Sequence, residues 1–337
     1  MTVFENILKK RERGVSMKLG IAGAGMIVKE VLPVLNEVGI DLKGICATKR
    51  SEEKLKELSE KHRIENYYLD FDEMLGNSDI DTIYVALPNV LHYEFCKKAL
   101  EAGKHVICEK PFTVKYEELA ELNKMAEDKN LILIEAITNQ YLENYLAIKK
   151  RVSDGELGDV KLVAANYSQY SSRYDNFKKG IISPSFDPKF AGGSLMDLNI
   201  YNIHFICGIF GKPESVSYAP IMENNIDVSG ILTLGYEDFK CVAIASKSCN
   251  CDNHMQIQGT KAAITMDRPA NECSSYGIFV KGKGTEIFNE NKYEHRMHSE
   301  FVEFERIINE KDYEKAGEMM KNSLVVMEVI DKARKFL

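Results

Sequence analysis

The sequence predicts an α/β protein of two domains, a parallel sheet with helices on both faces followed by an α+β domain. The chain has 337 residues, of which 45% are hydrophobic and 28% charged, enough for about two domains with packed cores. From residue 18 to residue 134, short β-branched runs alternate with helical stretches. Beyond about residue 137 the alternation ends, and strand-like runs follow one another across short turns.

In the first domain, residues 17–137, each predicted strand except the last is followed by a helix. Parallel strands need such crossover connections, so the sheet is predicted to be parallel. The predicted strands are 19–22, 42–47, 83–87, 106–108 and 131–134, and the predicted helices are 27–38, 51–62, 90–102 and 115–129. Residues 1–16 are polar and charged and are predicted to be an N-terminal extension outside the fold.

The second domain, residues 138–337, is predicted to carry a large, mainly antiparallel sheet with one open face, because short turns join adjacent runs at 235–238 and 259–260. Its predicted strands are 159–170, 214–220, 226–236, 239–247, 254–259 and 261–267. Its predicted helices are 142–153, 193–210, 297–309 and 312–335. An open face would expose apolar strand residues unless it paired, so we expect a homodimer or homotetramer.

The composition excludes several classes of function. With 44 Lys and Arg against 51 Asp and Glu, the formal net charge is −7, which argues against a nucleic-acid surface. No apolar run is long enough for a membrane span, and the first residues lack the apolar core of a secretory signal. We therefore expect a cytoplasmic protein. None of the eight cysteines is in a Cys-x-x-Cys pair, so no metal site is predicted.

The first predicted strand ends in Gly-Ala-Gly-Met-Ile-Val, residues 23–28. Two glycines at a strand-to-helix junction allow a tight turn and the close approach of a pyrophosphate to the helix N-terminus. The third glycine of the dinucleotide fingerprint is replaced by Val28. The alternative interpretation is a tight turn without a ligand.

About 25 residues beyond Gly23, where an acid would accept the ribose hydroxyls of NAD, the chain has Thr48, Lys49 and Arg50. Basic and hydroxyl groups at this point suit a 2′-phosphate and favour NADP over NAD. Alternatively, Lys49 and Arg50 are only solvent-exposed charges at the start of the next helix.

Two further segments follow the carboxyl ends of predicted parallel strands, where ligands bind in open α/β sheets. They read Leu-Pro-Asn-Val-Leu-His at residues 87–92 and Cys-Glu-Lys-Pro at residues 108–111. The order of these elements resembles the Gfo/Idh/MocA family of NAD(P)-dependent oxidoreductases. Its Glu-Lys-Pro signature is matched at residues 109–111 and its Asn-x-x-His pattern by Asn89 and His92. The resemblance implies an N-terminal Rossmann dinucleotide-binding domain and a C-terminal oligomerisation domain.

The resemblance continues in the second domain at residues 191–201. There Asp197 matches the family pattern, Asn199 replaces a glycine and Tyr201 replaces a histidine. A tyrosine at this place is similar to the branch of glucose–fructose oxidoreductases and dimeric dihydrodiol dehydrogenases, in which a lysine and a tyrosine are the proposed proton-transfer pair. The Arg and Pro usual for the family are missing from residues 137–145.

The spacing agrees with this chemistry. Asp197 and Tyr201 are four residues apart, on one face of a helix. Hydride transfer to or from a carbinol carbon leaves a proton to be moved. We predict Tyr201 as the general acid/base, with the Lys110 ammonium as its electrostatic partner favouring tyrosinate; the reverse assignment stays open. Asp197 would orient Lys110 or a substrate hydroxyl.

The predicted reaction is reversible oxidation, by NADP or NAD, of a secondary alcohol of a sugar, cyclitol or dihydrodiol. The predicted cofactor-binding residues are Gly23, Gly25, Met26, Ile27, Thr48, Lys49, Arg50, Pro88, Asn89, His92, Glu109 and Lys110. The predicted substrate-binding residues are Lys110, Tyr167, Arg173, Asp197 and Tyr201, with Tyr170 and Tyr174 as further candidates from the same stretch. The alternatives are a non-catalytic dinucleotide or sugar sensor, and an enzyme that recycles a tightly bound cofactor.

Overall fold

The computed structural model describes residues 16–337, which divide into two compact units. Within that range, the first unit combines residues 16–136 with 297–321, and the second combines 137–296 with 322–337. The predicted extension lies, apart from Ser16, outside the described residues. Residues 297–321, which the sequence analysis assigned to the second domain, belong to the first unit, where the Phe301 ring meets that of Tyr84 edge-on at 5.5 Å. Apolar spacing in a helix predicts a buried face, but it does not indicate which surface covers that face.

The first unit contains a six-stranded parallel sheet in the order β3-β2-β1-β4-β5-β6. Its strands are β1 (Lys18–Ala22), β2 (Asp41–Cys46), β3 (Asn66–Tyr68), β4 (Thr82–Val85), β5 (His105–Glu109) and β6 (Leu133–Ala136). The order reverses between β1 and β4, so a crevice is expected at the carboxyl ends of these two strands. The predicted Rossmann arrangement is confirmed; β3, three residues long, was not predicted.

Helices connect these strands because their apolar residues recur at helical spacing and pack on the sheet. The first of them buries Val28, Val31 and Leu35. Within residues 16–337 the α-helices are α1 (Met26–Val38), α2 (Glu52–His62), α3 (Phe71–Leu75), α4 (His92–Glu101), α5 (Tyr116–Asp128), α6 (Glu143–Ser153), α7 (Tyr174–Lys178), α8 (Ile200–Phe210), α9 (His298–Glu310) and α10 (Tyr313–Arg334).

The second unit contains an eight-stranded sheet in the order β14-β13-β12-β11-β7-β10-β9-β8. Its strands are β7 (Val160–Ser168), β8 (Ser215–Glu223), β9 (Ile226–Gly235), β10 (Lys240–Ser246), β11 (His254–Gly259), β12 (Ala263–Met266), β13 (Tyr276–Val280) and β14 (Gly284–Phe288). Neighbours are antiparallel except β7 and β10, which are parallel, with Ala245 opposite Tyr167. The carboxyl ends of β7 and β10 therefore lie side by side. The strands β13 and β14 were not predicted.

One face of this sheet is covered by α8 and by the π-helical segment Leu195–Asn199 that precedes it. The opposite face exposes large apolar side chains: Leu162, Ile231, Phe279 and Ile287. The predicted open-faced, mainly antiparallel sheet is thus confirmed.

Two negative findings hold for residues 16–337. Helices in this range are all too short or too polar to cross a membrane. The same residues contain no group of three or more His, Cys, Asp or Glu side chains placed to hold a metal ion.

Candidate active site

The glycine turn after β1 is closely packed at its first glycine. Gly23 has a φ of 126°, a conformation that residues with a side chain rarely adopt. Its N–H donates to the carbonyl oxygen of Cys46 over 2.8 Å, and a Cβ added here would lie 2.2 Å from the carbonyl oxygen of Ala86. A side chain at position 23 would therefore push apart the ends of β1 and β4.

The second glycine of the turn is packed differently. Gly25 has a φ of −71°, and an added Cβ would meet no atom within 4 Å. It lies at the N-terminus of α1, whose first turn carries no acidic side chain. A helix N-terminus that opens onto free space favours an anion. Val28, in place of the third glycine, is fully buried and packs the helix on the sheet, so this departure from the fingerprint leaves the anion site intact.

The end of β2 presents the basic residues that the sequence analysis singled out. Thr48, Lys49 and Arg50 are exposed, and the last two lie in the short 3₁₀ turn Lys49–Ser51. Among the described residues, the Lys49 and Arg50 side chains have no ion-pair partner. Both cations therefore stay available to a phosphate.

A lysine that the sequence analysis missed lies at the glycine turn. The Lys54 ammonium, on α2, donates a hydrogen bond to the carbonyl oxygen of Ala24. Burial, together with the charge of Lys29, lowers the pKa of Lys54. Its position brings a further positive charge to the turn. One lysine in the charged sequence of α2 carries no signal that would distinguish it from its neighbours.

His92 joins the loops that follow β4 and β5. It is completely buried, with Nδ1 2.8 Å from the carbonyl oxygen of Pro111 and Nε2 2.8 Å from that of Leu87. Burial lowers the pKa of His92, so its ring is neutral near pH 7 and donates to one of the two carbonyls at a time. The ring holds the two loops together, and a direct contact of His92 with the cofactor stays a prediction.

The Glu-Lys-Pro segment is held on both sides of Lys110. The Tyr84 hydroxyl donates to the Glu109 carboxylate over 2.5 Å, and burial, with the Glu109 charge, raises the pKa of Tyr84. Two residues beyond Lys110, the N–H of Phe112 donates to the buried Glu135 carboxylate over 3.1 Å. Together with the His92 contact to Pro111, these bonds fix the backbone that carries Lys110, which is itself half-buried.

In the second unit, Asp227 holds the start of the helical segment that carries Asp197. Its carboxylate accepts hydrogen bonds from the Leu195 N–H and from the Tyr218 hydroxyl, each over 2.7 Å. A Cβ on Gly193 would lie 2.0 Å from an Asp227 carboxylate oxygen, so position 193 has room only for glycine. Burial raises the pKa of Asp227, an effect that the two hydrogen bonds oppose.

The π-helical segment then leads into α8, which begins just before Tyr201. Asp197 is 37% exposed, whereas Tyr201 is buried, with its ring 6.0 Å from that of Tyr167 at the end of β7. Asn199, in place of the family's glycine, is fully buried and donates from its side chain to the carbonyl oxygen of Ala243 on β10. This departure thus ties the helical segment to the sheet.

The other predicted substrate residues are placed unequally. The guanidinium of Arg173 is half-buried and 3.3 Å from the Ser185 hydroxyl. Tyr174 lies instead in a buried aromatic cluster with Phe177 and Phe186, and its hydroxyl donates to Glu223. The packing of Tyr174 is that of a core residue. The Tyr170 hydroxyl donates to the carboxylate of Asp175, which lies on the short helix α7 with Tyr174.

Residues 137–145, the segment that lacks the usual Arg and Pro, hydrogen-bond to the backbone of α8. The Asn139 side-chain amide donates to the carbonyl oxygen of Tyr201 over 2.9 Å, and that of Gln140 donates to the carbonyl oxygen of His204 over 2.6 Å. Both side chains are buried. Here the segment fixes the backbone of the tyrosine.

Comparison with known proteins decides the family. Residues 17–137 match the model described as oxidoreductase family, NAD-binding Rossmann fold, and residues 145–265 match the GFO/IDH/MocA C-terminal domain. The chain is 30% identical over 322 residues to the scyllo-inositol 2-dehydrogenase (NADP(+)) IolU of Bacillus subtilis (strain 168), a match that covers 95% of this chain and 96% of that protein. The chain belongs to the Gfo/Idh/MocA family.

Other similar proteins agree with membership of the Gfo/Idh/MocA family. The trans-1,2-dihydrobenzene-1,2-diol dehydrogenase of Xenopus tropicalis is 28% identical over 79% of each chain. Two solved structures share the fold with a TM-score of 0.82 and cover 95% of this chain and 97% of their own. They are levoglucosan dehydrogenase in complex with NADH and levoglucosan, 18% identical, and the 3-ketoreductase KijD10 from Actinomadura kijaniata with NADP and TDP-benzene, 20% identical.

As a Gfo/Idh/MocA protein, the chain is an NAD(P)-dependent oxidoreductase, so the predicted enzyme class and cofactor class are confirmed. The residues of the first unit fit such a dinucleotide. The open space at Gly25 and the N-terminus of α1 suit a pyrophosphate, and the cations of Lys49 and Arg50 suit a further phosphate.

Lys247 is the second functional candidate that sequence reasoning missed. It directly follows β10, and its ammonium lies 2.9 Å from the Asp197 carboxylate although 50 residues separate the two. The available signal was a charged residue two positions after the apolar run 241–245. Lys247 is instead the last residue of the strand predicted at 239–247.

Proposed function

We propose that the protein catalyses reversible oxidation of a secondary alcohol of a sugar, cyclitol or dihydrodiol to the corresponding carbonyl, with NADP as the preferred cofactor. In the oxidative direction the products are the carbonyl compound, NADPH and one proton. The observation that carries the proposal is the placement of Tyr201 beside Tyr167, one helical turn from a partly exposed Asp197. The names of the Bacillus subtilis and Xenopus tropicalis relatives support the substrate class.

The residues have distinct roles in this proposal. When bound, the nicotinamide accepts or donates the hydride at its C4 atom. Tyr201 takes the proton of the reacting hydroxyl in oxidation and returns it in reduction. Lys110 is assigned the positive charge that favours tyrosinate, since an ammonium stabilises an anion. Asp197 accepts a hydrogen bond from a substrate hydroxyl and so orients the ring. Tyr167 and Arg173 contribute stacking and hydrogen bonding to a polyhydroxylated ring.

Cofactor binding is assigned to the predicted residues of the first unit. Gly23 and Gly25 form the turn that the pyrophosphate approaches, and the backbones of Met26 and Ile27 continue it into the first turn of α1. The segments containing Pro88 and Asn89, and Glu109 and Lys110, follow β4 and β5 at the same end of the sheet, the end where ligands bind. We propose that Thr48, Lys49 and Arg50 contact the 2′-phosphate.

The first experiment is a titration with NADPH and NADH, followed by nicotinamide fluorescence, on protein shown to carry no retained nucleotide. We expect NADPH to bind more tightly. A K49A/R50A variant should bind NADPH about tenfold more weakly, because two charge-assisted contacts to phosphate are lost. Its NADH affinity should stay unchanged.

The matched control for this titration is Lys124→Ala. Lys124 is an exposed lysine on α5 that pairs with Asp128 on the same helix, so its removal should leave both affinities unchanged. Equal affinities of the wild-type protein for the two cofactors would overturn the NADP preference. Failure to bind either would support the sensor alternative. Turnover of scyllo-inositol or trans-1,2-dihydrobenzene-1,2-diol with the preferred cofactor tests the reaction itself.

We also propose that the protein forms a homo-oligomer through the open face of the second sheet. Several large apolar side chains on this face are exposed, and burying them against a second copy is favourable. In sedimentation velocity, Ile231→Glu should shift the wild-type oligomer to monomer. The control Ile181→Glu replaces an apolar side chain in a loop that is more exposed than Ile231, and it should leave the sedimentation coefficient unchanged. A monomeric wild-type protein would contradict the proposal.

A further inference from the structure

The buried lysine Lys247 lies where the parallel strands β7 and β10 end. Its N–H donates to the carbonyl oxygen of Val228 over 2.7 Å, and its own carbonyl oxygen accepts from the N–H of Ser171 over 2.9 Å. The backbone at Lys247 is therefore bonded on both sides to neighbouring segments. The side chain is only 2% exposed.

The ammonium of Lys247 lies among groups of the second unit that can satisfy its charge. It donates to the Asp197 carboxylate over 2.9 Å and to the carbonyl oxygen of Ser185 over 2.5 Å, and it lies 4.3 Å from the centre of the Phe186 ring. A buried ammonium is costly unless such groups satisfy it. The environment therefore suits a lysine that stays charged.

The pair is asymmetric in its exposure. The Lys247 side chain is almost wholly buried, whereas the Asp197 carboxylate is 37% exposed. A buried ion pair adds little to stability by itself, because the desolvation of its charges offsets their attraction. Here the buried partner fixes the position and charge of a carboxylate that has accessible surface for a ligand.

A second carboxylate in the same region serves a different purpose. Asp227 is buried, and its carboxylate accepts hydrogen bonds from the Leu195 N–H and the Tyr218 hydroxyl. These bonds fix the start of the helical segment. Asp227 thus sets the backbone around Asp197, and Lys247 sets its side chain. Arg173 reaches the hydroxyl of the same Ser185 whose carbonyl oxygen receives the Lys247 ammonium.

We propose that Lys247 is a positioning residue for the reaction, holding the Asp197 carboxylate ionised and aimed at a substrate hydroxyl. This inference rests on the proposed function, in which Asp197 binds substrate. Because Lys247 is buried, it acts through Asp197 and does not touch the substrate. Its removal should therefore weaken substrate binding equally in the ground state and the transition state, and leave the cofactor site of the first unit unchanged.

The test is a double-mutant cycle of Lys247→Met and Asp197→Asn, measured with scyllo-inositol or the dihydrodiol as substrate and NADP+ as cofactor. We expect K247M to lower kcat/KM by about 10- to 100-fold, mainly through KM, with an unchanged Kd for NADPH. The double variant should be no worse than D197N alone, because the lysine acts only through the aspartate. Lys247→Arg, which keeps the charge, should recover most of the loss.

Other outcomes separate this inference from the proposed function. If wild-type protein turns over neither substrate, the proposed function fails. If it turns over and D197N impairs it, but K247M lowers only the thermal midpoint and leaves KM at the wild-type value, Lys247 is structural and the inference is overturned. Additive effects in the cycle overturn it as well. If K247M does not fold, Lys247→Gln provides the uncharged variant, since its amide keeps a polar donor on this buried side chain.

Discussion

Lys110→Met is expected to lower kcat by about 10²- to 10⁴-fold, because without the lysine charge most of the contribution of proton transfer by Tyr201 is lost. Methionine keeps most of the length and apolar stem of lysine and removes only the charge. The backbone on both sides of position 110 is held by Tyr84, Glu135 and His92, so the substitution should leave the fold close to wild type and keep much of the affinity for NADPH. Steady-state kinetics and the fluorescence titration measure the two effects separately.

The control for this prediction is Lys115→Met. Lys115 is an exposed lysine just before α5, five residues along the same segment, and its replacement should leave kcat unchanged. Tyr201→Phe should reduce kcat to a similar extent as K110M, since both remove a part of the same proton transfer. Wild-type turnover in K110M would refute the assigned role of Lys110. A loss of NADPH binding in K110M would show that the lysine mainly holds the cofactor.

The two glycines of the turn are expected to respond to alanine in opposite ways. Gly23→Ala should lower the free energy of unfolding by roughly 2–4 kcal/mol, because its Cβ meets the carbonyl oxygen of Ala86 at a positive φ. Gly25→Ala should leave stability unchanged, since its φ is negative and the space around it is open. It should weaken NADPH binding about tenfold, ~1.4 kcal/mol, because the Cβ occupies the space into which the pyrophosphate would enter.

Urea denaturation and the cofactor titration measure these two effects. Gly317→Ala is the control: this glycine lies within α10 with no atom near its added Cβ, so alanine should stabilise the protein slightly and leave the Kd unchanged. A G25A variant with wild-type affinity for NADPH would show that the pyrophosphate does not approach the turn at Gly25. Equal stability of G23A and wild type would show that the ends of β1 and β4 can separate at little cost.

The departures from the family pattern have structural explanations. Val28 packs α1 on the sheet, Asn199 bonds to β10, and Asn139 supports the backbone of Tyr201. Val28 and Asn199 each replace a glycine of the family pattern, and Asn139 lies in the segment that lacks the usual Arg and Pro. All three are buried and have a packing or hydrogen-bonding role. Because these departures have structural roles, they give little support to the alternative of a non-catalytic sensor.

Much of this protein was determined by local sequence. Alternating strands and helices predicted the parallel sheet, because hydrophobic periodicity reports secondary structure directly. A glycine turn after a strand predicted the dinucleotide site, because the required backbone conformation is local. The four-residue spacing of Asp197 and Tyr201 predicted that the two side chains lie about one helical turn apart, since helical geometry depends only on residues close in sequence.

Contacts between distant residues were decided by the tertiary structure alone. Lys247 meets Asp197 across 50 residues because β10 lies parallel to β7 beneath the helical segment, and no local pattern specifies that pairing. Tyr174, which the sequence offers as a polar aromatic for substrate, is taken into a core cluster by Phe177 and Phe186. The helix α9 packs with the first unit for the same reason: an apolar face predicts burial, but only the folded chain determines which surface provides it.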